Sequence, residues 1–289
     1  MGGLPGIVQA VRDSDGTERR LALAKLIMIA RDEGPRTDAL AACVDLCAEA
    51  AIGPDDLEPH VSTLLDLWKR VFAQAKPLQK STSQIEWMID DQYSNTRCCA
   101  EWLLDLMGHV PGGEVDISLR DALSLADPRL KLFAAVSLLR RLTPVDPLEL
   151  EKIAASNEVR IILWEQLRKL NVESLMPLRW SLPEMLAASD LSRWVSHPLE
   201  LGVPPEEVEL MGTFQVEIEG RPEDVYLFRF REYPKPWEAG EGWKAGIAGP
   251  YRDGQAIGSC WSAFESWDCK SPAEHTAKLY ASVNRCGFE

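Results

Sequence analysis

Along the first two-thirds of the chain, apolar residues recur every three or four positions, which is the period of an amphipathic α-helix. Turn-forming pairs at Gly34-Pro35, Gly53-Pro54 and Lys76-Pro77 separate three such helices. Thr37 is the expected N-cap of the second helix. The buried stripes of the second and third helices are predicted to comprise Leu40, Cys43, Val44, Cys47 and Ala51, and then Val61, Leu64, Leu65, Trp68, Val71 and Phe72.

One helix type occurs three times in the middle of the chain. A helix pair is expected over Ser83–Tyr93 and Thr96–Met107, and the second helix of the pair resembles two later segments. Their corresponding basic residues are Arg97, Lys131 and Arg160, which gives spacings of 34 and 29 residues. Each copy is predicted to start at a pair of residues that caps or initiates helices, namely Ser94-Asn95, Asp127-Pro128 and Ser156-Asn157.

These copies resemble short HEAT-like repeats, the helix pairs of about 30 residues that build bacterial α-solenoids. The resemblance is strongest over residues 83–170 and weaker over 17–75 and 173–195. It implies a mainly α fold in which antiparallel helix pairs stack into a solenoid domain over residues 1–200. The alternative is an irregular helical bundle whose helices have similar apolar stripes.

After residue 200 the period changes to two, which is typical of β-strands. Phe214, Val216 and Ile218 alternate with polar residues, and a second alternating run follows the turn at Gly220. Two more strands are expected over 243–248 and 259–267, and the capping box Ser271-Pro-Ala-Glu274 opens a last helix. Residues 201–289 are therefore predicted to form a small antiparallel sheet of about four strands with one C-terminal helix. HEAT-like repeats joined to such a module resemble uncharacterised bacterial repeat proteins.

The chain has a formal net charge of −14, from 45 acidic and 31 basic residues. Such a charge disfavours binding to nucleic acid, and it favours either a basic protein partner or simple solubility. No apolar stretch is long enough for a transmembrane helix, so no membrane partner is expected. The seven cysteines are scattered without a disulfide framework, which indicates a reducing compartment and a cytoplasmic location.

Catalytic and cofactor motifs are weak throughout the sequence. The four histidines lack metal-ligand spacing, no Cys-x-x-Cys occurs, and no glycine-rich phosphate loop is present, so no metal and no cofactor are expected. The most enzyme-like group comprises Ser259, Cys260, Asp268, Cys269 and His275. A cysteine nucleophile needs a nearby His, but these residues are more simply explained as structural cysteines beside a capped helix.

Aromatic and acidic residues are the better candidates for a binding surface. Four of the ten tryptophans lie in the last quarter of the chain, and aromatic residues on turns are typical interface anchors. Glu86, Asp90 and Asp91 share one side of a predicted helix, where they form either a cation site or a solvated acidic face. The candidate partner-binding residues are Trp237, Trp243, Tyr251, Arg252, Asp253, Glu86, Asp90 and Asp91.

Two functions follow from these features. The first is a protein–protein interaction module, and specifically an immunity protein that neutralises a basic toxin enzyme by occluding its active site. The second is an enzyme or small-ligand-binding protein that uses the aromatic C-terminal module. The absence of a clear catalytic motif favours the first.

Overall fold

A computed structural model describes residues 3–32, 36–79, 90–218, 220–232, 242–252, 255–256 and 263–286. The chain divides into two compact units, Met1–Leu150 and Glu151–Glu289. This division falls well before residue 200, where the sequence analysis places the domain boundary. Whether residues 1–200 and 201–289 fold independently stays a prediction.

The first unit is helical wherever its regular structure is described. Its helices are α1 (Leu4–Asp13), α2 (Gly16–Asp32), α3 (Thr37–Ala48), α4 (Pro54–Leu57), α5 (Val61–Leu78), α6 (Asp91–Met107), α7 (Gly113–Ala122) and α8 (Pro128–Arg140), followed by α9 (Pro147–Ala154), which spans the division. The helix α6 packs against α3, α5 and α8, and one apolar core runs through all of them. The mainly helical character predicted from the sequence is therefore confirmed, whereas the HEAT-like subtype remains a resemblance.

Three predicted helix starts differ from the structure. Thr37 is the first residue of α3, so the N-cap position belongs to Arg36. The helix α6 begins at Asp91, because the Asp90 side chain accepts the Tyr93 N–H at 2.8 Å and caps the helix one turn before Ser94-Asn95. The third expected start is displaced as well, since the helix after Ser156-Asn157 begins only at Arg160.

The predicted start at Asp127-Pro128 is confirmed, and it joins α6 to α8. The fully buried Asp127 carboxylate accepts the backbone N–H groups of Arg129 and Leu130 at the N-terminus of α8. It also accepts the Tyr93 hydroxyl at 2.5 Å and pairs with Arg97 Nε at 2.6 Å, both from α6. A buried carboxylate is stable here because donors on two helices and the helix dipole compensate its lost hydration.

The second unit comprises two more helices, a sheet and a last helix. After α9 come α10 (Arg160–Lys169) and α11 (Pro183–Val195), with two single 3₁₀ turns between them. The strands are β1 (Glu207–Ile218), β2 (Arg221–Arg231), β3 (Trp243–Ala248), β4 (Tyr251–Arg252), β5 (Gln255–Ala256) and β6 (Ala263–Ser266), and α12 (Pro272–Cys286) follows. The structure has the four-stranded antiparallel sheet that the sequence predicts. Its strand order is β1-β2-β3-β6, and β4 pairs with β5 separately.

Helices cover both faces of this sheet. Tyr226, Phe228 and Phe230 pack with α11 on one face, whereas Val225 and Leu227 pack with α12 on the other. The helix α11 lies close to the sheet, because a Cβ added to Gly246 would come within 3.1 Å of Leu191. The sequence predicts only one helix on the sheet and places the residues of α11 with the repeats. The apolar residues on both faces of β2 require a second layer, which α11 provides.

Arg160 is a buried cation that joins three segments of the second unit. It is 2% exposed, and its guanidinium donates to the carbonyls of Ala154 and Ala155 at the C-terminus of α9 and to that of Met185 in α11. Trp180 packs against the guanidinium at 4.4 Å. Burial lowers the pKa of Arg160 to about 10, so the side chain stays charged at neutral pH and complements the negative end of the helix dipole.

Replacing Arg160 with Met is expected to lower the free energy of unfolding of the second unit by about 3–5 kcal/mol, because it leaves three carbonyl groups without their donor. Arg179→Met is a matched control, since Arg179 packs against the same Trp180 ring at 4.6 Å but is 67% exposed. The control should cost less than about 1 kcal/mol. Hydrogen exchange of the β2 amides reports both values, and equal losses would contradict the assigned role.

Candidate functional site

A groove lies between α5 and α7 in the first unit and encloses about 290 Å³. Its floor is apolar, since Leu65 and Trp68 are buried and Phe72 packs against Trp68 with ring centroids 5.5 Å apart. On the facing helix, Ile117 is 62% exposed beside this floor. Because Ile117 adjoins the apolar floor, the two form one apolar patch, and contiguous apolar patches are a feature of interaction sites.

Acidic side chains border the groove on α7. Glu114 and Asp121 line it, and neither forms an ion pair with another described residue. On α5, Lys69 also lines the groove, and its Nζ lies 3.5 Å from Asp66 Oδ1 in a solvent-exposed ion pair. A second cation, Lys76, lies over the Phe72 ring at 5.4 Å. The α7 side is therefore the acidic side of the groove.

At about 290 Å³, the groove lies at the lower end of the range for sites of organic ligands, which enclose about 300–1,000 Å³. That volume is sufficient for one or two apolar side chains. Both helices that form it belong to the first unit, and their mutual packing fixes its shape. The arrangement is suited to hold a side chain from another protein, with apolar contact below and carboxylates at the edge.

This groove is not among the sites predicted from the sequence, although α7 carries one signal of it. Val115, Leu119 and Ala122 form the buried stripe of α7. Ile117 lies between them in sequence but about 200° around the helix from Val115, which predicts an exposed side chain. An isoleucine on the polar side of an amphipathic helix is such a signal, but only the structure shows Trp68 and Phe72 beside it.

The predicted partner-binding residues that the structure describes lie in both units, with Asp90 and Asp91 in the first and Trp243, Tyr251 and Arg252 in the second. Asp90 caps α6 and Asp91 is its first residue, so the structure assigns Asp90 a structural role in the helix. Trp243 begins β3, and the guanidinium groups of Arg229 and Arg231 lie over its ring at 4.6 and 5.7 Å. Tyr251 and Arg252 form β4. Glu86, Trp237 and Asp253 lie outside the described residues.

His275, from the enzyme-like group, lies in the core between the sheet and α12. Its ring is fully buried and stacks on Trp267 at 4.7 Å. Its Nδ1 lies 2.6 Å from Glu265 Oε1, and its Nε2 lies 3.5 Å from Asp268 Oδ1. Lys270 and Lys278 pair with the same two carboxylates. Since the ring is shielded from solvent, the observed geometry favours a structural role, and Ser259 and Cys260 lie outside the described residues.

The described cysteines of the first unit are buried or half-buried thiols. Burial raises the pKa of both Cys47 and Cys99 to about 12 and raises that of Cys43 further. In the second unit, Cys269 is exposed. A thiol whose pKa is raised stays protonated at neutral pH and is a poor nucleophile.

Alkylation with iodoacetamide at pH 8 should therefore modify Cys269 and leave Cys43 and Cys99 unmodified in the native chain. A pKa of about 12 for Cys99 reduces its thiolate fraction by about 10³ relative to an ordinary thiol, and burial excludes the reagent as well. Peptide mass spectrometry resolves each site, and labelling in denaturant gives the full signal. Equal native labelling of Cys43 and Cys269 would contradict the packing of α3.

Comparison with known proteins gives no relative for this chain, since no family model, no curated protein and no solved structure matches it. Among the described residues, no three His, Cys, Asp or Glu side chains are grouped so as to hold a metal ion. The same residues include no helix with the length and apolarity required to span a membrane. Only the geometry of the groove between α5 and α7 therefore supports it as a candidate site.

Proposed function

We propose that this protein is a protein-interaction module that binds its partner in the groove between α5 and α7. The observation that supports this most directly is Ile117, exposed beside an apolar floor and flanked by Glu114 and Asp121. An apolar centre bordered by polar and charged side chains is the usual arrangement of a protein interface. The net charge of −14 adds a long-range attraction for a basic partner.

In this proposal a basic segment of the partner inserts one large apolar side chain above Trp68 and Phe72. Its lysines or arginines then face Glu114 and Asp121 on α7. The apolar contact provides most of the affinity. The carboxylates favour a positively charged partner and increase its rate of association. The interface needs no chemistry from the module itself.

A more specific form of the proposal is an immunity protein of the cytoplasm that occludes the active site of a basic toxin enzyme. Enzymes that act on nucleic acid are commonly basic around their active sites, since they must attract phosphates. A partner of that kind would match an acidic groove border and the acidic chain around it. The observations that support this form are the net charge of −14 and the carboxylates of Glu114 and Asp121 at the groove.

The test is affinity purification from the native cells with the full chain as bait, followed by measurement of Kd with the purified partner. Ile117→Arg should weaken binding by about tenfold or more, since it removes the anchor and places a cation in the groove. The double variant Glu114→Lys, Asp121→Lys should weaken binding most at low salt.

The matched controls lie on α2, away from the groove. Leu21 is 67% exposed, so Leu21→Arg makes the same chemical change, and Glu18→Lys reverses an exposed charge. Both controls should leave Kd within about twofold, because exposed substitutions outside an interface have little effect. A stoichiometric partner that is insensitive to the groove variants, or the absence of any such partner, would refute the proposal.

A further inference from the structure

The strand β1 is a long sheet edge that no other described strand covers. It ends the order β1-β2-β3-β6 and pairs on one side only, with β2. Every residue from Glu207 to Glu217 is exposed or half-buried, in contrast to β2, where five residues are buried. An edge of this length presents a row of backbone N–H and C=O groups to solvent and is a template for another strand.

A β-bulge divides this edge into two parts. The register with β2 shifts between Leu210 and Gly212, which interrupts regular pairing at that point. The uninterrupted stretch is therefore Gly212–Ile218. At about 3.4 Å per residue it is roughly 24 Å long, enough for a strand of ordinary length to pair with it.

The side chains of this stretch differ between the two faces of the sheet. Phe214 and Val216 are half-buried and pack in the core that includes α12. Thr213, Gln215 and Glu217 point to the opposite face and are exposed. A strand that pairs here would match the edge by alternating an apolar residue beside Phe214 and Val216 with a polar one beside Gln215 and Glu217.

The charge of the hairpin indicates which strand fits. Residues 212–227, which comprise the stretch and the part of β2 that pairs with it, contain four acidic side chains and one basic side chain, Arg221. Before the bulge, Glu209 and Glu207 are paired with Arg229 and Arg231. A second copy would bring an equally acidic hairpin to the same edge, and like charges on adjacent strands destabilise pairing. The edge is therefore complementary to a strand rich in Lys or Arg and opposed to its own copy.

We propose that β1 binds an extended basic segment of a partner protein, which adds to the sheet as a fifth strand along Gly212–Ile218. The segment alternates apolar residues with Lys or Arg. Backbone hydrogen bonds provide the affinity, and Glu217 with the neighbouring Asp224 selects the charge. This site comprises other residues than the groove between α5 and α7. The proposal for β1 therefore does not depend on the function proposed for that groove.

The test uses the full chain and three synthetic nine-residue peptides. The first alternates Val and Lys, the second has the same sequence with alternate backbone nitrogens methylated, and the third replaces Lys with Glu. The first peptide should bind and protect the amides of residues 212–218 from hydrogen exchange. Methylation should weaken binding at least tenfold because it removes the donors that a strand needs, and the Glu peptide should not bind detectably.

A charge variant tests the position of the site. Glu217→Lys should weaken binding of the Lys peptide severalfold at low salt, and Glu200→Lys serves as the control because Glu200 is an exposed glutamate outside the sheet. Both variants should melt at the temperature of the unaltered chain. Equal binding of the methylated peptide, equal effects of the two variants, or protection of β1 that rises with protein concentration without peptide would overturn the proposal. The last result would identify a second copy as the occupant.

Discussion

Each unit of this protein is organised around a charged side chain that is buried at the end of a helix. Asp127 lies at the N-terminus of α8, where backbone N–H groups, Tyr93 and Arg97 satisfy its carboxylate. Arg160 lies against the C-terminus of α9, where carbonyl groups accept its donors. A buried charge without partners would cost several kcal/mol, so each residue requires its neighbouring segments to lie where they do. The helix ends supply dipoles of the matching sign.

These two residues explain why the repeat in the sequence is a guide to architecture and not to function. Arg97 and Arg160 occupy matching positions in the sequence repeat, yet Arg97 pairs with the Asp127 carboxylate and Arg160 with backbone carbonyls. Lys131 is the corresponding basic residue of the third copy. The ion pair between α8 and Glu101 of α6 is formed instead by Arg129, whose guanidinium lies 2.8 Å from the Glu101 carboxylate. The sequence repeat therefore gives each of the three helices a basic residue, but that residue is the seventh of α6, the fourth of α8 and the first of α10, and the partners of Arg97 and Arg160 differ.

The two proposed binding sites use different physical means. The groove between α5 and α7 offers apolar contact area, and its specificity comes from the carboxylates of Glu114 and Asp121. The β1 edge offers backbone hydrogen bonds, and its alternating side chains set which strand is accepted. Helices pack on both faces of the sheet, and β1 is already extended by its pairing with β2, with no outer strand among the described residues. A partner that binds there does not have to order the strand.

The amino-acid sequence by itself determined the element types and most of their positions. Apolar period separates the helices from the strands, and local chemistry fixes several ends, such as the Asp127 cap and the capping box at Ser271 and Glu274. Tertiary structure decided the rest, because contacts between distant residues cannot be read from local patterns. It moved α11 onto the sheet, assigned Asp90 a capping role, buried His275 beside Trp267, and brought Ile117 next to Phe72. The binding surfaces belong to this second class, since a groove and an open edge exist only after helices and strands have packed.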